Sequence, residues 1–245
     1  MAYTHPQLAT LYDEDNPDGP DHDFYRALAE EIQAEVIVDV GCGTGLLTVS
    51  LAAEGRTVLG LDPAAVMLEQ ARQRPGSERV QWIEGDSTSL PALRADYAVL
   101  SGNVAQHIPD PQWQRTLNDL HERLRSGGII AFESRNPQAR AWESWVGEGS
   151  TTRHTAALGP LRESTQLRGI TAEVVSLRFE TQLLTTGQLI VEDLNLVFRT
   201  RQRITEQLEH AGFVLKAVYS DWQRNAFTGT EPLMIFVATV GTRPS

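Results

Sequence analysis

The chain has 245 residues, 41% of them hydrophobic, enough for one large α/β domain or two small ones with a sizeable core. Its formal net charge of −11 and the lack of any basic cluster argue against a nucleic-acid partner, because such partners are bound by Lys and Arg set against phosphates. No apolar run approaches the roughly 20 residues of a membrane helix, and the opening residues are polar and acidic, so a cytosolic protein acting on small molecules, with no membrane association, is expected.

The chain opens with a segment rich in Asp, Pro and Gly, from Met1 to Asp23, that nonetheless carries Tyr3, Leu8, Leu11 and Tyr12. It is either a loose tail or a piece that folds back over something. Helical spacing of Phe24, Leu28, Ala29 and Ile32 then marks a helix leading into Val36–Gly45, VIVDVGCGTG. Apolar β-branched residues followed by three glycines and an amphipathic run from Leu46 to Glu54 spell strand, tight turn and helix. Such a turn leaves helix N-terminal amides free and lets the main chain approach a ligand. The only cysteine, Cys42, sits in this turn, as a reactive thiol or as a small residue that fits a crowded bend.

Thr57 to Leu61 is a second strand ending in Asp62, with Pro63 opening a helix through Val66, Met67, Leu68 and Ala71. Arg79 to Glu84 closes on Gly85 and Asp86, and Ala95 to Leu100 precedes a loop from Ser101 to Ile108. Pro111 to Leu124 is a helix striped by Trp113, Leu117, Leu120 and Leu124, and Ile129 to Glu133 is a fifth strand. Strands alternating with helices at this pitch predict an α/β fold with a doubly wound, mostly parallel sheet, whose ligands bind at the strands' carboxyl ends. Beyond Asn136 the rhythm breaks: a short helix around Trp142 and Trp145, a polar stretch from Thr151 to Pro160, and a hairpin of Thr171–Leu184 and Leu189–Phe198. A helix from Arg201 to Ala211 and strands Phe213–Tyr219 and Leu233–Val240 resume the pattern. Residues 1–136 and 201–245 therefore read as one sheet domain, with 137–200 as an inserted, β-rich piece.

The turn lacks the third glycine of the dinucleotide fingerprint, having Leu46 where it is wanted, and no lysine follows it as a phosphate loop requires. Asp62 is positioned to accept two ribose hydroxyls or, alternatively, to cap the helix at Pro63. Asp86 could accept from an adenine amine, with the Ser87 amide at a ring nitrogen, or be a turn aspartate.

Taken in order, VIVDVGCGTG, LGLDPAAVMLEQAR, IEGDSTSLP, DYAVLSGNVAQHI and LRSGGIIAFES resemble the motif set of class I S-adenosylmethionine-dependent methyltransferases, over residues 36–134. The later LVFRTRQRITEQLEHAGFVLKAVYSDW is similar to the segment that closes the sheet in small-molecule members. The resemblance implies a Rossmann-like, seven-stranded sheet with its last strand antiparallel, and the cofactor S-adenosylmethionine, released as S-adenosylhomocysteine. It places Gly41, Gly43 and Gly45 against the methionine and ribose and Asp39 toward the ammonium group. Asp62 falls on the ribose, Pro63, Ala64 and Met67 beside the adenine, and Asp86 and Ser87 at its polar edge. Ser101, Gly102, Asn103 and Val104 flank the methionine carboxylate and sulfonium. Tyr12 and Tyr25 either cover the cofactor from an N-terminal lid or simply pack.

In-line methyl transfer needs alignment and exclusion of water above all, and a base only when the acceptor must lose a proton. His107 is the candidate base; the alternative is a loop histidine bonding backbone. In such enzymes an insertion builds the acceptor pocket, so Arg135 is assigned to an anionic group on a small-molecule acceptor and Trp142 and Trp222 to its walls. Glu133 and Glu143 lack a convincing set of partners, so no metal is expected. A silent cofactor-binding protein and a nicotinamide-dependent oxidoreductase stand as alternatives. Oligomeric state is left open.

Overall fold

The structure, a computed structural model, describes residues 5–147 and 149–241, so Tyr3 lies outside the described residues. The opening segment folds into two single-turn helices, α1 (Pro6–Ala9) and α2 (Tyr12–Asp15), ahead of α3 (Pro20–Glu31). The next part alternates: β1 (Val36–Val40), α4 (Leu46–Leu51), β2 (Thr57–Asp62), α5 (Ala65–Gln73), β3 (Val80–Glu84), β4 (Ala95–Leu100), α6 (Val104–His107), α7 (Gln112–Arg123) and β5 (Leu124–Arg135). After α8 (Trp142–Trp145) come β6 (Thr151–Thr155), β7 (Gly159–Thr171), β8 (Val174–Leu183) and β9 (Leu189–Val197). The chain finishes with α9 (Arg201–His210), β10 (Phe213–Tyr219) and β11 (Leu233–Val240).

A seven-stranded sheet runs in the order β10-β11-β5-β4-β1-β2-β3, with β11 antiparallel to both of its neighbours. β1 pairs in parallel with β2 on one side and β4 on the other, so the winding reverses between β1 and β4. Ligands in open α/β sheets bind in the crevice at such a switch point. Asp96 fixes the seam by accepting the Glu35 and Val36 amides at 2.9 and 2.8 Å.

Alternation along the strands divides the core in two. Val38, Val40, Ala98, Leu100, Ile130 and Phe132 face α7 and α9 with Trp113, Leu117 and Leu208. Ile37, Tyr97, Val99 and Ala131 face α3 and α4 with Tyr25, Leu47 and Leu51. Side chains two residues apart share a face. Asp39 and Glu133 therefore join the second core, where both are buried.

The polar stretch after α8 is not a loop. It forms β6 and the first part of β7, so the expected hairpin, β8 and β9, is one half of a four-stranded antiparallel sheet, β6-β7-β8-β9. Trp142, Val175, Leu177, Leu194, Leu196 and Phe198 make its core. Leu8 and Leu11 pack with Leu161, Leu183 and Ile190, tying the opening segment to this sheet. Two boundaries also differ from expectation. β5 begins at Leu124, so Ser126–Gly128 lie within the strand, and α5 begins at Ala65 rather than at Pro63.

Candidate cofactor and acceptor site

The glycine turn is pinned to the end of β2. Gly41 and Cys42 donate to the Leu61 carbonyl at 2.7 and 2.9 Å, and Gly43 donates to Asp62 Oδ2 at 2.9 Å. Asp62 Oδ1 accepts the Ala64 amide at 2.8 Å, so this residue holds the helix entry while it lines the cavity. Burial lifts its carboxyl above the usual range. Gly45 starts α4 in a left-handed conformation (φ 77°), and Trp82 Cη2 would stand 2.5 Å from any Cβ there. Cys42 is buried in the turn, and that burial pushes its thiol well up, which favours the reading of a small residue in a tight bend.

Asp39, on β1 just before this turn, accepts the Thr48 hydroxyl on Oδ2 at 2.7 Å. Its Oδ1 is buried with no hydrogen-bond partner among the described residues. Burial raises the carboxyl to about 7. An unsatisfied buried carboxylate oxygen costs free energy that a cationic donor recovers. That fits the ammonium end of S-adenosylmethionine, as does the lack of a lysine at the turn, since this cofactor carries no phosphate.

The opening segment closes over the turn. The Tyr12 ring lies against Gly43 and its hydroxyl against Gly102. Burial, then the charge of Asp62, pushes Tyr12 up to about 12. Asp13 pairs with Arg74 and accepts the Thr44 hydroxyl at 2.5 Å, while Arg153 of β6 reaches Asp15 at 2.7 Å. Helix α2 is thus tied at once to the glycine turn and to the smaller sheet.

A cavity of about 250 Å³ opens at the carboxyl ends of β1, β2, β3 and β4. At one end stand Pro63, Met67, Gly85, Asp86 and Ser87. Asp86 accepts the Thr88 hydroxyl at 2.6 Å and pairs with Arg115; the Thr88 hydroxyl foremost holds its carboxyl below the usual range. Ser87 donates to Asp119 at 2.6 Å, which ties this edge to α7.

The other end is built by α6 and the tip of β5. His107 lines it, with Nδ1 buried and unpartnered among the described residues; burial, aided by the charge of Arg135, lowers its imidazole to about 4. Arg135 donates to Gln106 Oε1 at 3.1 Å and its guanidinium lies 4.9 Å from the Trp145 ring centre. Helix α6 is clamped from outside by the buried Arg199, which donates to the Ala105 carbonyl at 2.7 Å, the Ile108 carbonyl at 2.6 Å and Asp110 at 2.8 Å. Asn103, before α6, adopts a left-handed backbone (φ 58°) and donates its amide to Glu133, which also accepts the Tyr25 hydroxyl. Tyr25 is therefore core rather than lid.

Of the sequence-assigned residues, Tyr12, Gly41, Gly43, Asp62, Pro63, Met67, Asp86, Ser87, Gly102, His107 and Arg135 meet on this one cavity. Asp39, Gly45 and Asn103 lie behind its wall and shape it. Trp142 and Trp222 are not brought to it. Trp142 packs on Phe198 at 4.5 Å inside the smaller sheet, and Trp222 joins Phe24 and Tyr25 at 5.7 and 5.8 Å on the α3 face. Asn16, Gln112, Arg115 and Thr116 line the cavity without having been singled out. On α7, Thr116 and Arg115 flank the apolar stripe on the side turned to Asp86 and Ser87, a placement that only the packing of the helix reveals.

Residues 37–128 match the family model described as "Methyltransferase domain". That stretch runs from β1 into β5, across the glycine turn and the acids of the cavity. The malonyl-[acyl-carrier protein] O-methyltransferase of Pectobacterium atrosepticum is 33% identical to it over 122 residues, 48% of this chain and 47% of that protein. The chain spans about half the length of the curated relatives it matches. Likeness in fold extends over nearly the whole chain: the CcbJ methyltransferase from Streptomyces caelestis, 19% identical, superposes over 98% of both chains with a TM-score of 0.77. The S-adenosylmethionine-bound amino pentose methyltransferase CalS10 from Micromonospora echinaspora, 20% identical, does so over 95% of this chain and 96% of its own with a TM-score of 0.68.

Proposed function

We propose that this chain is an S-adenosylmethionine-dependent methyltransferase that passes a methyl group in line to a small-molecule acceptor. The observation that carries this reading is a single cavity with a cradle of glycines and acids, lacking lysine, at one end and His107 with Arg135 at the other. When bound, the cofactor supplies a methyl carbon already activated by a sulfonium. The chain's part is to hold, align and dry the reactants, and orientation alone is worth roughly 7–11 kcal/mol. Asp39 presents its charge to the ammonium from behind the cavity wall, Asp62 takes the ribose hydroxyls, and Asp86 with the Ser87 amide the adenine edge. Tyr12 and α2 cover the methionine end. His107, neutral at physiological pH, offers Nδ1 to the proton that an acceptor hydroxyl or ammonium must lose.

Residues 1–136 and 201–245 form the cofactor-binding part on this reading, and 137–200 cap the acceptor. The superposition on an amino pentose methyltransferase supports a small acceptor over a macromolecule. The net charge of −11 weighs against nucleic acid. A cytoplasmic setting suits a chain whose one cysteine is buried, and no helix among the described residues is long and apolar enough to cross a membrane.

The test is incubation with methyl-labelled S-adenosylmethionine and a fractionated metabolite extract. Label should move into a small-molecule fraction only in the presence of the protein. Binding of S-adenosylhomocysteine with no label in any fraction would favour a silent binder instead.

A further inference from the structure

Arginines sheltered from solvent in this protein keep carboxylate company. Among the described residues Arg26, Arg56, Arg74, Arg123, Arg153, Arg178, Arg199 and Arg224 are each at least half sheltered, and each has a carboxylate oxygen within 4.0 Å. Arg135 is equally sheltered and has none among the described residues. Its one side-chain hydrogen bond goes to the neutral amide of Gln106, and one side of its guanidinium faces the Trp145 ring. The nearest acid along the strand, Glu133, is engaged elsewhere by Tyr25 and Asn103.

A guanidinium has five donors in a planar fork, and burying its charge without an anion costs several kcal/mol. The cost is tolerated where a ligand supplies the anion. Arg135 lines the cavity at the His107 end, away from Asp86 and Ser87, so the anion belongs to the acceptor and not to the adenosine. Gln106 and Trp145 fix the fork before the ligand arrives. A fixed planar fork with parallel donors matches a carboxylate in two-point geometry.

From this we infer that the methyl acceptor is a small molecule bearing a carboxylate, gripped by Arg135 while the group to be methylated lies toward His107. The inference rests on the methyltransferase reading and narrows it to one substrate class. It also makes Arg135 the residue that sets specificity, because a site built for a charge rejects the neutral analogue that leaves its guanidinium unpaired.

The experiment uses the full chain saturated with S-adenosylhomocysteine. Small carboxylates (amino acids, benzoate and hydroxybenzoates) and their primary amides are titrated in pairs by ligand-observed NMR. At least one carboxylate should bind more than about tenfold tighter than its amide. Arg135→Gln should bring the pair to parity, and Arg135→Lys should restore part of the preference. If every pair binds equally, if no carboxylate binds, or if Arg135→Gln keeps the preference, the acceptor assignment is overturned while cofactor binding stands. Failure of S-adenosylhomocysteine itself to bind would instead remove the methyltransferase reading, and the acceptor assignment with it.

Discussion

Thr48 donates its hydroxyl to Asp39 at 2.7 Å across the inner face of the sheet, and this is the only hydrogen bond the Asp39 carboxylate makes among the described residues. A buried acid held by one neutral donor keeps its proton to about pH 7. Because the folded value is raised above the unfolded one, the protonated form stabilises the fold fully below about pH 4, and that contribution is lost as pH rises through 7. Glu133, raised to about 7 by burial, acts in the same sense. Urea unfolding of the ligand-free protein should show stability falling between about pH 4 and pH 7, and Asp39→Asn should make that fall shallower. Affinity for S-adenosylhomocysteine should move the opposite way, rising with pH as Asp39 ionises to meet the ammonium. An Asp39→Asn variant with an unchanged pH dependence in both measurements would remove Asp39 from this role.

His107 is held near a value of 4, so it is already a free base at pH 5. If it accepts the acceptor's proton, the acid limb of the turnover profile lies well below the 6.5 of an ordinary histidine. Replacing it by Gln should lower kcat by about 10²–10⁴-fold. Turnover and its pH profile surviving His107→Gln would show that alignment alone suffices.

Arg199 supplies the outer support of the same helix. It is 1% exposed and serves two backbone carbonyls besides Asp110, which keeps a second partner in Arg203. Arg199→Met strands both carbonyls and should cost about 2–4 kcal/mol in urea unfolding. Lysine cannot span both, so Arg199→Lys should recover less than half of the loss.

Two glycines with the same backbone hand separate space from conformation. Gly45 (φ 77°) has Trp82 against it, whereas Gly55 (φ 81°) has nothing within 4 Å of the place a methyl would take. Alanine at Gly45 should destabilise by about 2–4 kcal/mol, and at Gly55 by only about 1–2. Equal losses in thermal unfolding would mean that Trp82 moves aside freely.

Much of this was legible in the sequence, for identifiable reasons. β4 and β11 fall where apolar residues and turn signals bracket them, because strands buried on both faces are nearly continuous apolar runs. β6 and most of β7 escaped because TTRHT and GPLRESTQLRGIT bury little: a lightly covered sheet face leaves no alternation to read. In the site, the glycine turn and its acids were readable since chemistry fixes both type and spacing. Arg115 and Gln112 were not, as only the approach of α7 to Asp86 gives them a role. Trp222 shows the opposite error. Its position beyond β10 suggested a pocket wall, but an aromatic buries its ring wherever a partner stands, and Phe24 and Tyr25 stand on the far side.

The central claim is that the cradle of Gly41, Gly43, Asp62 and Asp86 takes S-adenosylmethionine. Calorimetric titration of the full chain with S-adenosylhomocysteine and, separately, with NAD tests it most directly. Saturable binding of S-adenosylhomocysteine, weakened at least about tenfold by Asp62→Ala, and no binding of NAD are the expected results. Binding of NAD but not of S-adenosylhomocysteine, or an Asp62→Ala affinity equal to that of the unaltered chain, would contradict it.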